Sequence, residues 1–186
     1  LYNEQNKKNK INKLILNSPF LKFKGHWIEN IFLNYIGWYL FNYIPDINIS
    51  FTINKPNSYA LSLCNKYKIN KKYKTYHNLP IISSWIINIM KHQNRISLNK
   101  IKINIPTIIF YCDKSIKNNF TEQGDSIINI EENLKQIPYL INNNLLHLKI
   151  IKNGRHDILC SDGDMHNNNS PLGEIFYHIG NFLQLK

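Results

Sequence analysis

Two short polar clusters hold the side chains with which this sequence could do chemistry. The first follows the apolar run that ends at Cys112 and contains Asp113, Glu122 and Asp125; the second, Gly154-Arg155-His156-Asp157, follows the run that ends at Ile151. An imidazole can take a proton from a hydroxyl nucleophile and hand it on to a leaving group. A carboxylate on its other ring nitrogen fixes the tautomer and stabilises the imidazolium that forms. A carboxylate in one loop and a histidine in the next, separated by one helix and one strand, is the order Asp then His of a hydrolase triad. A histidine alone in a loop is more often without a catalytic role. What singles out His156 is its setting, after an apolar strand and a glycine turn and ahead of a capped helix.

The elements that must position these groups can be read from periodicity. Leu14-Ile15-Leu16, closed by Asn17-Ser18-Pro19, and Thr107-Ile108-Ile109-Phe110-Tyr111-Cys112 are continuous apolar runs without alternation, the pattern of strands buried on both faces of a parallel sheet. Leu145 to Ile151 reads as a further strand, with Lys152-Asn153-Gly154 as its exit turn. Helices are predicted from Trp27 to Ile44 and after Pro80, the latter with Ile81, Ile82, Trp85, Ile86, Ile89 and Met90 inward. Another is predicted from near Glu131, with Leu134, Ile137, Leu140 and Ile141 as its stripe. A last helix should open at Ser170-Pro171, with Ile175, Phe176, Ile179, Phe182 and Leu183 inward. From about Asp46 to Tyr76 the periodicity is poor, and loops are expected. Strand, loop, helix, strand, loop, helix is the signature of an α/β sheet with parallel strands. In such sheets ligands bind at the carboxyl ends of the strands, where both polar clusters fall.

Composition narrows the function classes. The 186 residues are 43% hydrophobic and 12% aromatic, enough for a sizeable core and against disorder throughout. Lys and Arg exceed Asp and Glu by 23 to 12, giving a net charge of +11 and a pI near 9.5. Such a charge raises nucleic acid or an anionic membrane as a partner. The lysines are scattered among Asn, Ile, Tyr and Phe, however, and runs such as Lys7-Lys8-Asn9-Lys10 read as solvated faces, so nucleic acid is not expected. Cys64, Cys112 and Cys160 are odd in number and widely spaced, which argues against a disulfide framework and fits a reducing, cytoplasmic compartment. Asp162, Asp164 and His166, with His156, match no metal-ligand spacing, so a solvated loop around Gly163 is expected and no cofactor is implied. No apolar run reaches the ~20 residues of a membrane span. The chain opens on Leu1 and not on methionine, and reads as part of a longer protein.

Several segments together resemble one family. Leu14-Ile15-Leu16-Asn17-Ser18-Pro19-Phe20 is similar to the strand that follows the nucleophile in α/β-hydrolases of the serine aminopeptidase and lysophospholipase-like group. Pro106 to Ser115 resembles their acid-bearing strand, and Gly154-Arg155-His156-Asp157-Ile158-Leu159 their histidine motif. Asn57 to Leu63, Pro80 to Trp85 and His92 resemble the cap region of a subgroup. The resemblance covers nearly the whole chain. It implies a partial α/β-hydrolase fold, a parallel sheet flanked by helices with a helical cap insertion. The single domain would comprise a core strand and preceding helix end over 1–20, a cap over 21–100, and a C-terminal core over 101–186.

The resemblance also implies a serine hydrolase of carboxylic esters such as lysophospholipids, monoacylglycerols or small esters. His156 would be its base. The family's acid stands in Asp-x-Val-Val ahead of a helix, a form met by Asp125-Ser126-Ile127-Ile128, so Asp125 is the expected acid and Asp113 the alternative. The nucleophile elbow Gly-x-Ser-x-Gly is absent, because Gly124-Asp125-Ser126 lacks the second glycine. The serine is therefore expected outside this chain, from an N-terminal fragment or upstream segment, and the chain alone is expected to be inactive. The remaining expected partners are a small ester or lipid and a peripheral membrane contact. The rival readings are an inactive truncated remnant and a basic RNA- or membrane-binding module, the last marked by affinity that falls steeply with salt.

Overall fold

A computed structural model describes residues 11–23, 43, 44, 46, 48, 80–116, 124, 125 and 127–184. Three strands, β1 (Leu14–Asn17), β2 (Thr107–Cys112) and β3 (Leu146–Ile151), form a parallel sheet in the order β1-β2-β3. Leu14 pairs with Thr107 and Asn17 with Phe110; Thr107 pairs with Leu146 and Cys112 with Ile151. Four helices are described: α1 (Ser83–Ser97), α2 (Ile130–Leu134), α3 (Ile137–Leu140) and α4 (Pro171–Leu183). The result is an α/β arrangement of parallel strands flanked by helices. The chain divides into two compact units, residues 1–24 with 93–186 and residues 25–92. The second unit is shorter at both ends than the cap of residues 21–100 that the resemblance implies. Pairing of β1 with β2, across some ninety residues of chain, is what closes the first unit.

Among the described strands only β2 is buried along its whole length, because it alone of the three has a strand on each side and is covered on both faces. Its Ile108, Ile109, Phe110 and Tyr111 join Ile128, Ile137, Ile141, Ile151, Ile158 and Ile175 in one core. The expectation that β1 is buried on both faces is not met. It lies at one end of the described sheet order, and its residues alternate between half-buried and exposed, with Ile15 outward. β3, at the other end, turns Leu148 and Ile150 outward for the same reason.

The helix predicted from Glu131 is two short ones. Asn129 caps α2 by accepting a bond from the Glu132 amide, and Pro138 sits in the first turn of α3. Proline in a helix interior removes an amide donor and clashes with the carbonyl four residues earlier, so one continuous helix through 138 is unfavourable. The last helix starts as expected, Ser170 accepting from the Gly173 amide with Pro171 next. Its buried stripe is narrower than predicted. Ile175 is buried, while Phe176 and Leu183, roughly 80–100° round the helix from it, are exposed. In and just before α1, Ile86 is buried as expected, but Ile81, Ile82 and Trp85 are exposed, and the polar Ser83 and Gln93 are buried. These two bond to backbone: Ser83 to the Ile44 carbonyl, and Gln93 to the Phe23 amide and the Phe20 carbonyl. Most of the helix read from Trp27 to Ile44 (all but 43 and 44), most of the loops read from Asp46 to Tyr76 (all but 46 and 48) and the cap motif over 57–63 lie outside the described residues, as do Cys64 and Glu122.

Asn133 does for the segment after β1 what hydrophobic packing cannot. Fully buried, its Oδ1 accepts from the amides of Leu21 (2.6 Å) and Lys22 (2.9 Å), and its Nδ2 donates to the carbonyls of Asn129 (2.7 Å) and Lys22 (3.3 Å). Alanine here would leave several backbone groups without partners. Asn133→Ala is expected to cost about 2–4 kcal/mol, measured as a lowered urea midpoint with an unchanged slope. Among the described residues no helix is long and apolar enough to cross a membrane.

Candidate active site

Beyond the carboxyl ends of β2 and β3 the backbone continues to pair. Ser115 forms a parallel bridge with Asp125, and Gly124 forms one with Arg155. The Gly124-Asp125 peptide is thus wedged between the extensions of two neighbouring strands, held by Asp125 N–H to the Lys114 carbonyl (2.9 Å), Ile116 N–H to the Asp125 carbonyl (2.7 Å) and Gly124 N–H to the Gly154 carbonyl (2.7 Å). Gly124 takes φ +101°, and a side chain there would meet Ile116 at 2.6 Å and the Lys114 carbonyl at 3.1 Å. Only glycine fits both demands.

This wedge delivers Asp125, fully buried, to His156. The Asp125 Oδ2 lies 2.7 Å from His156 Nδ1, and its Oδ1 accepts from the amides of Ile127 (2.8 Å) and Ile128 (2.9 Å). Because the carboxylate only accepts, the proton between them is carried on Nδ1. The Oδ1 bonds close the turn into the segment before α2, whose Ile130 amide is held by the Ser115 hydroxyl at 2.9 Å. The imidazole side chain is about one quarter exposed, at 23%, so the ring bridges the buried acid and the surface.

Asp113, the alternative acid, is engaged elsewhere. Its Oδ1 accepts from the Asn153 amide (3.0 Å), fastening the turn after β3 in which Asn153 adopts φ +57°. The structure therefore brings Asp125 to the imidazole and Asp113 to the turn beside it.

The histidine loop is held on both sides of the ring. Before it, the Arg155 amide donates to Ser161 Oγ (3.0 Å), and the buried guanidinium reaches Asp162 at 3.4 Å. After it, the Asn17 side chain at the end of β1 donates to Asp157 Oδ1 (3.1 Å) and accepts from the Ile158 amide (3.1 Å). Asp164, in the loop expected around Gly163, accepts from the His166 amide within that loop. Among the described residues no three His, Cys, Asp or Glu side chains gather into a group that could hold a metal ion. Gly124, Asn17, Ser115 and Ser161 escaped the sequence reading of the site. Only Gly124, next to a candidate acid, carried a signal that could have drawn attention to it.

Below the pair, burial raises both Tyr111 and Cys112, and the negative charge of Asp125 adds to the effect. The Tyr111 hydroxyl stays a donor, to the Pro19 carbonyl at 2.8 Å. The Cys112 thiol is pushed up to about 12 from 9.0. Its folded value lies above its unfolded one, so its contribution to stability is full below pH 9 and is lost as pH rises from about 9 to 12. Thiolate is the reactive form, so iodoacetamide at pH 8 is expected to alkylate the half-buried Cys160 at least roughly tenfold faster than Cys112, as read by peptide mass mapping. Compared with models of known protein families and with curated proteins, the chain matches none.

Proposed function

We propose that this chain supplies the base and the orienting acid of a serine-nucleophile hydrolase acting on carboxylic esters, on a partial α/β-hydrolase fold whose serine comes from outside these 186 residues. The observation that carries the reading is the 2.7 Å contact between His156 Nδ1 and a buried carboxylate, at the carboxyl ends of a parallel sheet. With Nδ1 protonated and held, Nε2 is the nitrogen that takes the serine proton as the hydroxyl attacks the ester carbonyl. The same proton then passes to the leaving alcohol, and water repeats the cycle on the acyl-enzyme. Asp125 holds the ring through both half-reactions. The donors of an oxyanion hole belong with the nucleophile elbow and would arrive with the serine. The family resemblance points to lysophospholipids, monoacylglycerols or small esters as substrates, with residues 21–100 as a cap.

The missing Gly-x-Ser-x-Gly favours a second reading, an inactive remnant that has kept its acid and base. One experiment separates the two. The polypeptide that carries these residues is isolated from its own cells, treated with a fluorophosphonate probe and mapped by mass spectrometry. The hydrolase reading expects a single labelled serine outside positions 1–186, with labelling abolished by His156→Ala. Absence of label on the folded protein would leave the remnant reading, and label indifferent to His156 would remove this site from the reaction.

A further inference from the structure

We infer that Asn17 is a positioning residue for His156, a clamp by which the end of β1 sets the imidazole against Asp125; this rests on the proposed reading of the pair. The loop that leaves β3 does not return to its own strand. It pairs at Arg155 with Gly124, carries His156, and is then fastened by its next two residues to the strand at the other end of the sheet order. Both atoms of the Asn17 amide group are used, in opposite senses: Nδ2 donates to the Asp157 carboxylate and Oδ1 accepts from the Ile158 amide, each at 3.1 Å. Ile158 is buried, so its amide has no water to turn to if that acceptor goes. The short 3₁₀ turn Ile158–Cys160 that begins there packs against β2 and α4. His156 is thus suspended between two anchors, Arg155 on the acid wedge and Asp157-Ile158 on β1.

The residue type matters as much as its place. An aspartate at 17 would keep the acceptor for Ile158 but set a carboxylate against that of Asp157, whereas asparagine satisfies both at once. No other uncharged side chain of this length offers a donor and an acceptor side by side. A hydrophobic residue offers neither. The geometry also explains why a polar side chain ends the otherwise apolar run Leu14-Ile15-Leu16-Asn17.

The experiment uses the chain labelled with nitrogen-15 on its imidazoles, with His156→Gln assigning the signal and Asp125→Asn as the control for the pair. In the wild type, the Nδ1 proton of His156 should give a downfield resonance protected from exchange with water, and Asp125→Asn should remove it. Asn17→Ala and Asn17→Asp should broaden that signal or speed its exchange at least tenfold, with the other histidine signals unmoved. The exchange of Asn17→Asp with Asp157→Asn restores a carboxylate facing an amide and should recover it. A single-site variant that keeps the wild-type exchange rate, or a folded double variant that stays as fast as Asn17→Asp, would overturn the clamp. A wild type with no signal dependent on Asp125 would instead refute the pair itself. If Asn17→Ala fails to fold, Asp157→Ala, which removes only one of the two bonds, should still speed exchange; unchanged exchange there, together with failure of the double variant to recover the signal, would overturn the proposal.

Discussion

Asp125→Asn is expected to lower ester turnover by the serine-bearing protein about 10⁴-fold, the scale found where an amide forces the wrong imidazole tautomer, while leaving the fold in place. The two oxygens of Asp125 do different jobs. Oδ1 accepts from two backbone amides and Oδ2 faces the ring. An asparagine keeps its single oxygen on the amides of Ile127 and Ile128, because turning it round would point an NH₂ at two N–H groups in a dry site. The NH₂ must then face Nδ1, which can only accept. The ring proton moves to Nε2, and the nitrogen that should take the serine proton is already protonated. The check is kcat with a soluble ester, alongside a thermal melt. A variant within tenfold of wild type would mean that the carboxylate is structural and that the ring finds its orientation elsewhere. Alanine is the poorer test. It also removes both turn-closing bonds, so a loss of activity would mix mechanism with unfolding.

Gly173→Ala is expected to destabilise the chain by about 3–5 kcal/mol, near the upper end of single substitutions. A methyl group at 173 would lie 2.0 Å from the Asn167 carbonyl oxygen, 2.4 Å from its carbon and 2.8 Å from the Asp164 carbonyl oxygen. These are backbone atoms, and no rotamer change relieves them. The loop from Asp164 to Asn167 is itself tied to the helix start, since Ser170 donates through its hydroxyl to both carbonyls while capping the Gly173 amide. Moving either partner therefore costs the cap. Gly180, on the same helix, has nothing within 4 Å of an added methyl. Gly180→Ala should stabilise by about 0.5–1 kcal/mol through reduced unfolded-state freedom. Urea unfolding of the two variants makes the comparison internal, and a Gly173→Ala variant within about 1 kcal/mol of wild type would contradict the close approach.

Much of the frame was open to a reader of the chain. Thr107 to Cys112 announced a fully buried strand by being β-branched and aromatic without alternation, and Ser170-Pro171 announced the last helix by the chemistry of its first turn. The errors about burial share one cause. Ile15, Leu148, Ile150, Phe176 and Trp85 are apolar and exposed, and the side chain that ties α2 to the segment after β1, Asn133, is polar and buried. Local pattern says which residues prefer burial. It does not say which positions the neighbouring elements will cover, nor where a backbone amide needs an acceptor.

The same division holds for the candidate site. Sequence alone determined that a carboxylate-bearing loop and then a histidine loop leave the ends of successive strands, since strand identity and loop order are properties of consecutive residues. It favoured Asp125 over Asp113 only through the likeness of Asp125-Ser126-Ile127-Ile128 to a family motif. Which carboxylate meets the ring is decided by hydrogen bonds between backbone segments far apart in the chain: Gly124-Asp125 slots between the extensions of β2 and β3, and Asp113 is left to the turn at Asn153. Peptide amides and carbonyls are the same at every position. Which of them meet is settled by packing in three dimensions and leaves no mark in the residue types.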